Sequence, residues 1–310
     1  MIMKLIDFFK QFPDEQSCRD YFREQRQKEG ITCRNCKGIA HYWMKSIEQF
    51  QCKDCRTRTT LRSGTVMESS NLSFRDWFIA IHLMTSTKKG ISAKEMQRQL
   101  GFKRYEPVWF MMQKIRVAMG ARDERYELSG FAEMDEGYFT TVESATVGEI
   151  GKKSKRGRGS DNQTPVLVMA QTEHVRNPKN HRQHSRCKFF KMRVMPDLKS
   201  QSINQVVKDQ VNPKIKVKTD GLHSYRKLNE VVNKHISKVI PPDQAGKELP
   251  WVHIAISNAK RNLLNNFHHV DDTYLQNYLD EFTYRLNRRY TGDKLFGRLI
   301  IACISFSWII

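Results

Sequence analysis

The sequence predicts a chain of several domains: a small metal-binding module, a helical module and a larger α/β domain. Three observations predict this. Two Cys-x2-Cys pairs lie close together near the N-terminus, a helical periodicity runs from Leu72 to Gly120, and strand-like and helix-like segments alternate from Leu128 onward. At 310 residues the chain has room for two or three domains, and 39% hydrophobic residues suffices for a packed core in at least one. The domains are drawn at residues 1–62, 63–125 and 126–310.

Charge gives the first functional signal. Lys and Arg number 53 against 33 Asp and Glu, a formal net charge of +20. An excess of that size suits a protein that meets a polyanion, nucleic acid first of all; the plainer alternative is a solvated basic surface. Met1 to Phe12 lacks the long apolar run and small-residue cleavage site of a signal peptide. No stretch approaches the ~18 apolar residues of a membrane span. The apolar tail Leu299 to Ile310 reads as a core helix or strand. Four of the seven cysteines fall in the two pairs, a metal pattern in a reducing compartment rather than a secreted disulfide framework. A cytoplasmic, nucleoid-associated protein is expected.

The first module is built on Cys33, Cys36, Cys52 and Cys55, with 15 residues between the pairs. Each Cys-x2-Cys turn points two thiolates at one spot, and two such turns supply the four tetrahedral ligands of a closed structural Zn²⁺. This spacing predicts a zinc ribbon. Cys18, Cys187 and Cys303 read as small core residues.

The second module reads as helix, turn, helix. Ser92 with Glu95 forms a capping box, Ala93 to Leu100 is the first helix, and Gly101 ends it. The second helix starts near Glu106, with Pro107 in its first turn. Lys103, Arg104, Lys114 and Arg116 decorate this unit, so a DNA-binding helix-turn-helix is expected ahead of a plain helical hairpin.

In the third region Phe131–Phe139, Pro165–Gln171 and Cys187–Met195 read as strands, and Leu198–Asp209 as a helix. Lys214 to Thr219 alternates with period two, a half-buried strand. Lys238 to Ile240 is a short further strand, and His253–Leu264 and Asp272–Arg289 are helices. This is an α/β layout. A basic, Gly-rich loop interrupts it at 148–163, carrying Lys152, Lys153, Lys155, Arg156 and Arg158. Two carboxylates stand out: Asp135 in the strand FAEMDEGYF, and Asp220 at the end of KIKVKTDG. Placed near two strands, they are a plausible hold for Mg²⁺, a hard cation that takes oxygen ligands. Each alone reads as a surface or turn residue.

Taken in order, CRNC and CKDC, RSGTVMESSNLSFRDWFIAIHLMTSTKKGIS, AEMDEGYF, GKKSKRGRG, KTDGLHSY, WVHIAISNAKRNL and YLQNYLDEFTYRLNRR make the chain resemble the ISXO-like insertion-sequence transposases over nearly its full length. The resemblance implies an RNase-H-like core with an acidic triad, Mg²⁺ or Mn²⁺ as catalytic metal, binding to terminal inverted repeats and target DNA, and strand cleavage followed by strand transfer. It implies at least a dimer in the synaptic complex. Asp135 and Asp220 match the first two catalytic carboxylates.

The third position departs from the family pattern, because no carboxylate occurs between Trp251 and Val270. His253 is favoured as the third ligand, since residues seven apart share a helix face and His253 thereby joins Lys260; Asn258, rotated by roughly 140° from that lysine's early partner, is the competitor. Glu136 is expected outside the site, because adjacent strand residues point to opposite faces. Lys260, Arg285, Arg288 and Arg289 are expected phosphate contacts. Two other classes stay open: a catalytically inactive zinc-ribbon DNA-binding protein derived from a transposase, and a structure-specific nuclease on the same core.

Overall fold

The computed structural model describes residues 3–141, 163–176, 183–239, 245–267 and 270–307. The chain divides into two compact units, one made of residues 1–122 and 288–310 and the other of residues 123–287.

The first unit opens with helices α1 (Leu5–Gln11) and α2 (Glu15–Glu29). A three-stranded antiparallel sheet follows, β1 (His41–Met44), β2 (Gln49–Cys52) and β3 (Arg58–Thr60). Helices α3 (Phe74–Ser86), α4 (Ala93–Leu100) and α5 (Glu106–Glu124) complete the N-terminal part. Helix α10 (Lys294–Ser305) joins them from the far end of the chain. Its apolar stripe of Leu295, Phe296, Leu299, Ile300 and Cys303 is buried. Phe296 packs in an aromatic cluster with Phe8, Phe12, Phe78 and His82. The tail therefore does form a core helix, but residues 288–310 group with the N-terminal unit and not with the α/β domain to which the sequence reading attached them.

Helix α4 has the bounds its local signals predict. The Ser92 hydroxyl accepts the Glu95 N–H at 3.1 Å, and Gly101 ends the helix at φ 70°, a left-handed conformation that costs glycine nothing. Only half of the expected capping box forms, because the Glu95 carboxylate is taken by Arg98 and Gln99. On α5 the expected groove-facing cations turn inward. Arg116 is fully buried, and Lys114 donates to the Glu68 carbonyl at 2.8 Å. Lys103 and Arg104 remain exposed in the turn before α5.

The second unit is a five-stranded mixed sheet with helices on both faces. Its strands are β4 (Phe131–Thr140), β5 (Gln163–Arg176), β6 (Gln183–Val194), β7 (Lys216–Asp220) and β8 (Lys234–Lys238), in the order β6-β5-β4-β7-β8. β6, β5 and β4 are antiparallel, while β4, β7 and β8 are parallel. β8 ends at Lys238, where the expected strand Lys238–Ile240 begins; Ile240 lies outside the described residues, and the observed edge strand is largely exposed with no apolar alternation to announce it. α6 (Ser200–Gln210) covers one face: Ile203 and Val207 meet Ala132, Met134, Leu167, Met169 and Val217. α8 (Pro250–Asn266) and α9 (Asp272–Asn287) cover the other, where Val252, Ala255, Ile256, Ala259, Leu263, Leu275 and Leu279 meet Phe139, Val166, Val168, Ala170, Phe190 and Met192. A short helix, α7 (Ala245–Glu248), leads into α8. Among the described residues no helix is long and apolar enough to cross a membrane.

Candidate metal-binding sites

The two cysteine turns of the first unit have matching geometry. The Lys37 N–H donates to the Cys33 carbonyl at 3.1 Å and the Arg56 N–H to the Cys52 carbonyl at 3.2 Å. Lys37 and Arg56 both sit at φ 63°, which closes each turn beneath its thiols. The Cys33 and Cys52 N–H groups are tied by Gly38 and Thr57 carbonyls at 2.9 and 3.0 Å. The four sulfurs lie within 4.8 Å of one another, with Cys33–Cys55 and Cys36–Cys52 at 3.5 Å. Four converging thiolates on rigid turns fit a structural Zn²⁺. Cys18, Cys187 and Cys303 are buried elsewhere.

In the second unit the sheet brings the acidic residues together. β4 and β7 run parallel, with Phe131 opposite Lys216, Ala132 opposite Val217 and Glu133 opposite Lys218. The same register carried forward sets Asp135 beside Asp220. Side chains alternate along a strand, so Glu133, Asp135 and Gly137 share the face that α8 covers, while Met134 and Glu136 point toward the α6 face. Gly137 matters here: a Cβ would stand 3.3 Å from Ile256, so its absence lets α8 lie close to the strand just past Asp135.

Glu136 corrects the expectation from alternation. Its carboxylate lies within 4.8 Å of those of Asp135 and Asp220 although its strand position faces the other way. The reason is the sheet edge. β7 ends at Asp220 while β4 continues to Thr140, so beyond that point no strand separates the two faces.

The cluster is electrostatically uncomfortable without a cation. Burial pushes the Glu136 carboxyl up to about 7, and the charges of Asp135 and Asp220 push the same way, while the Tyr225 hydroxyl opposes them. After burial the Tyr225 hydroxyl is the largest influence on Glu136; it is buried beside the carboxylate, although it makes no hydrogen bond of normal geometry. Burial also holds Asp135 above its ordinary value, with the Asp220 charge adding to the effect. Two of the carboxylates are oriented by backbone: Asp135 Oδ1 accepts the Glu136 N–H at 2.9 Å and Asp220 Oδ1 the Leu222 N–H at 3.1 Å. Three partly buried, mutually repelling carboxylates, two of them held by backbone N–H groups, suit a hard divalent ion.

The helix-borne candidates separate. His253 Nε2 stands 3.4 Å from Asp135 Oδ2, beyond a good hydrogen bond, and is buried with no hydrogen-bond partner. It is not one of the three residues whose ligand atoms all lie within 4.8 Å. Asn258 is exposed, its amide oxygen taking only a 3.4 Å contact from Arg261. Lys260 is exposed, with Nζ 5.8 Å from the centre of the Phe139 ring. Of the predicted phosphate contacts, Arg285 is half-buried and pairs with Glu281 at 3.7 Å, and Arg288 is 6% exposed. Both turn inward rather than presenting a free cation. Arg289 stacks on Tyr290 at 4.5 Å. Lys152, Lys153, Lys155, Arg156 and Arg158 lie outside the described residues.

Reasoning from the sequence missed Glu133, buried at 4% exposure, whose Oε2 accepts the Trp251 N–H at 2.8 Å and the Val252 N–H at 3.3 Å. The signal lay in the parallel match of FAEMD with KVKTD, which pairs Glu133 with Lys218 one pleat from the two aspartates.

An ISXO2-like transposase domain matches residues 127–287, more than half of the chain, and a transposase zinc-ribbon domain matches residues 13–58. The chain belongs to the ISXO2-like transposase family. A relative from Halobacterium salinarum, described as an uncharacterized protein in transposable element ISH50, is 26% identical over 170 residues, which cover 52% of this chain and 56% of the relative. The match thus spans little more than half the length of that relative. A chain of the Mos1 strand transfer complex aligns over 75% of this chain and 79% of its own length at 12% identity, with a TM-score of 0.27 that is no evidence of a shared fold.

Proposed function

We propose that this protein is a DNA transposase that binds the terminal inverted repeats of its insertion sequence and catalyses divalent-metal-dependent strand cleavage and strand transfer on an RNase-H-like core. The observation that carries the reading is the convergence of Asp135, Glu136 and Asp220 within 4.8 Å where β7 ends beside the middle of the parallel strand β4. Family membership supports the reaction class.

Asp135, Asp220 and Glu136 would hold Mg²⁺ or Mn²⁺, with His253 beside Asp135 as a further donor and Asn258 set apart. Ions held there would lower the pKa of water and stabilise the charge on the phosphate oxygens. In the first step water attacks phosphorus at the element's end. The bond from phosphorus to the 3′ oxygen breaks, and that oxygen leaves as a 3′-OH. In the second step the 3′-OH attacks a target phosphodiester, the new P–O bond forms, and the target's 3′ oxygen departs with a proton. Lys260 meets developing negative charge on the phosphate. The zinc ribbon and the exposed Lys103 and Arg104 ahead of α5 serve DNA binding, with the α4–α5 pair as a helix-turn-helix. Arg289 and the basic stretch around Lys152–Arg158 add phosphate contacts. Holding two ends at once needs a homodimer or a larger assembly, which would act in the cytoplasm on the nucleoid.

The test is incubation with DNA carrying the element's ends and Mg²⁺ or Mn²⁺, scored for cleavage and for joining of pre-cut ends. Wild type gives strand-transfer product, and Asp135→Ala and Asp220→Ala bind the same DNA without cutting it. Hydrolysis without joining would instead establish a nuclease, and DNA binding without either would establish an inactive descendant.

A further inference from the structure

Asp135 and Asp220 do not stand alone on their face of the sheet. One pleat earlier, Glu133 and Lys218 are opposite one another on β4 and β7, and alternation puts all four side chains on the face that α8 covers. The acidic row is therefore preceded by a mixed row, and both members of that mixed row reach up to the helical layer.

Helix α8 begins without a local cap: its N-cap is Leu249, which offers no side-chain acceptor. Its first N–H groups would be orphaned in a buried place. Glu133, 118 residues away in sequence, accepts two of them, from Trp251 and Val252. Lys218 does the corresponding work just before the helix, donating from Nζ to the Glu248 carbonyl at 3.0 Å and to Glu248 Oε2 at 2.6 Å. A second lysine, Lys238 on β8, closes on the same Glu248 carboxylate. These bonds fix the depth and rotation of the first turn of α8. The next residue after the clamped pair is His253, whose buried Nε2 faces Asp135 at 3.4 Å with no hydrogen-bond partner.

We infer that Glu133 is a positioning residue for the acidic site: its two backbone hydrogen bonds seat α8 so that His253 stands beside Asp135 as an additional metal donor. The inference rests on the reading of Asp135, Glu136 and Asp220 as a metal site. Glu133 acts by reach, since its oxygen must arrive at the helix end; its negative charge is incidental. Reach and charge separate by substitution. Glu133→Gln keeps the reach and an acceptor oxygen without the charge, Glu133→Asp keeps the charge but is a methylene short, and Glu133→Ala keeps neither.

The experiment is titration of the full-length, zinc-loaded chain with Mn²⁺, following free Mn²⁺ by electron paramagnetic resonance, so that no turnover is needed. Thermal unfolding of each variant is measured alongside. The expected result is near wild-type affinity for Glu133→Gln and a loss of about tenfold or more for Glu133→Asp and Glu133→Ala, the size seen when a partner orienting a metal ligand is removed. Glu133→Ala in a His253→Ala background is expected to bind no more weakly than His253→Ala alone. Wild-type affinity for Glu133→Asp with weakened Glu133→Gln would overturn the inference in favour of a charge effect. Unchanged affinity in all folded variants would reduce Glu133 to a helix cap. Should the alanine variant not fold, the Gln and Asp pair decides the matter. Asp135→Ala serves as the separate control: undiminished Mn²⁺ binding there would remove the metal-site reading itself, whereas lost binding there with flat Glu133 variants would sink the inference alone.

Discussion

Replacing Glu136 by glutamine should make the protein more stable in the absence of divalent cations, provided the pH is high enough. The Glu136 carboxyl is pushed up to about 7 from an ordinary 4.5, chiefly by burial and further by Asp135 and Asp220. A shift of that size corresponds to on the order of 3 kcal/mol of disfavour for the charged form. The sign follows from proton binding. Between the unfolded and folded pKa values the folded chain binds more protons, so the stability contributed by Glu136 is fully present below about pH 4.5 and is lost as pH rises through about 7. The amide of glutamine never ionises, so Glu136→Gln escapes that loss. Allowing for the amide's own desolvation, the gain at pH 8 should be on the order of 1–2 kcal/mol, or roughly 2–8 °C in Tm for a chain of this size. The assay is thermal unfolding in Mg²⁺-free buffer at pH 5.5 and pH 8, on zinc-loaded protein. The gain should be smaller at pH 5.5, because much of the loss develops only as pH rises from there through about 7. Saturating Mn²⁺ should reverse the order of stability, because wild type gains binding energy that the variant loses. A variant less stable than wild type at pH 8, or a gain equal at both pH values, would refute the electrostatic picture of the cluster.

Further outcomes follow from other parts of the structure. Cys36→Ser should lower bound zinc below one per chain and unfold β1–β3, read by metal analysis and by selective proteolysis of the ribbon. Gly101→Ala should cost about 1 kcal/mol, seen as a drop in Tm, because Gly101 is at φ 70° with nothing within 4 Å of an added Cβ, so the effect is backbone strain alone. Lys103→Ala with Arg104→Ala should weaken DNA binding and flatten its salt dependence by about two, as expected for two phosphate contacts. Arg285→Ala, by contrast, should lower Tm with little change in the salt slope, because this guanidinium is half-buried against Glu281.

How much of this was legible in the sequence depends on whether the cause is local. Ser92 and Gly101 bracket α4 within a few residues, and the observed helix has those bounds. The zinc turns were legible because ligand spacing and turn geometry are set within each Cys-x2-Cys. Asp135 and Asp220 stood out as carboxylates on strands, but their adjacency depends on parallel pairing of β4 with β7 across the intervening β5, β6 and α6. The alternation rule assigned the Glu136 strand position to the correct face yet could not foresee that the sheet ends beside it. Glu133 was hidden for a different reason: its partners are backbone N–H groups, which any sequence supplies. Arg285 and Arg288 illustrate the reverse error. A run of arginines at a helix end reads as a phosphate surface, and only packing reveals that two of them face inward. The tail 288–310 announced its apolar character but not its partner, which lies at the opposite end of the chain.

A divalent ion held among the Asp135, Glu136 and Asp220 oxygens is located directly by anomalous scattering from crystals soaked in Mn²⁺. A manganese peak bounded by the Asp135, Glu136 and Asp220 carboxylates, absent from Asp220→Asn crystals, is the predicted result. A saturating soak that leaves this position without a peak, or puts manganese only elsewhere on the chain, would contradict it.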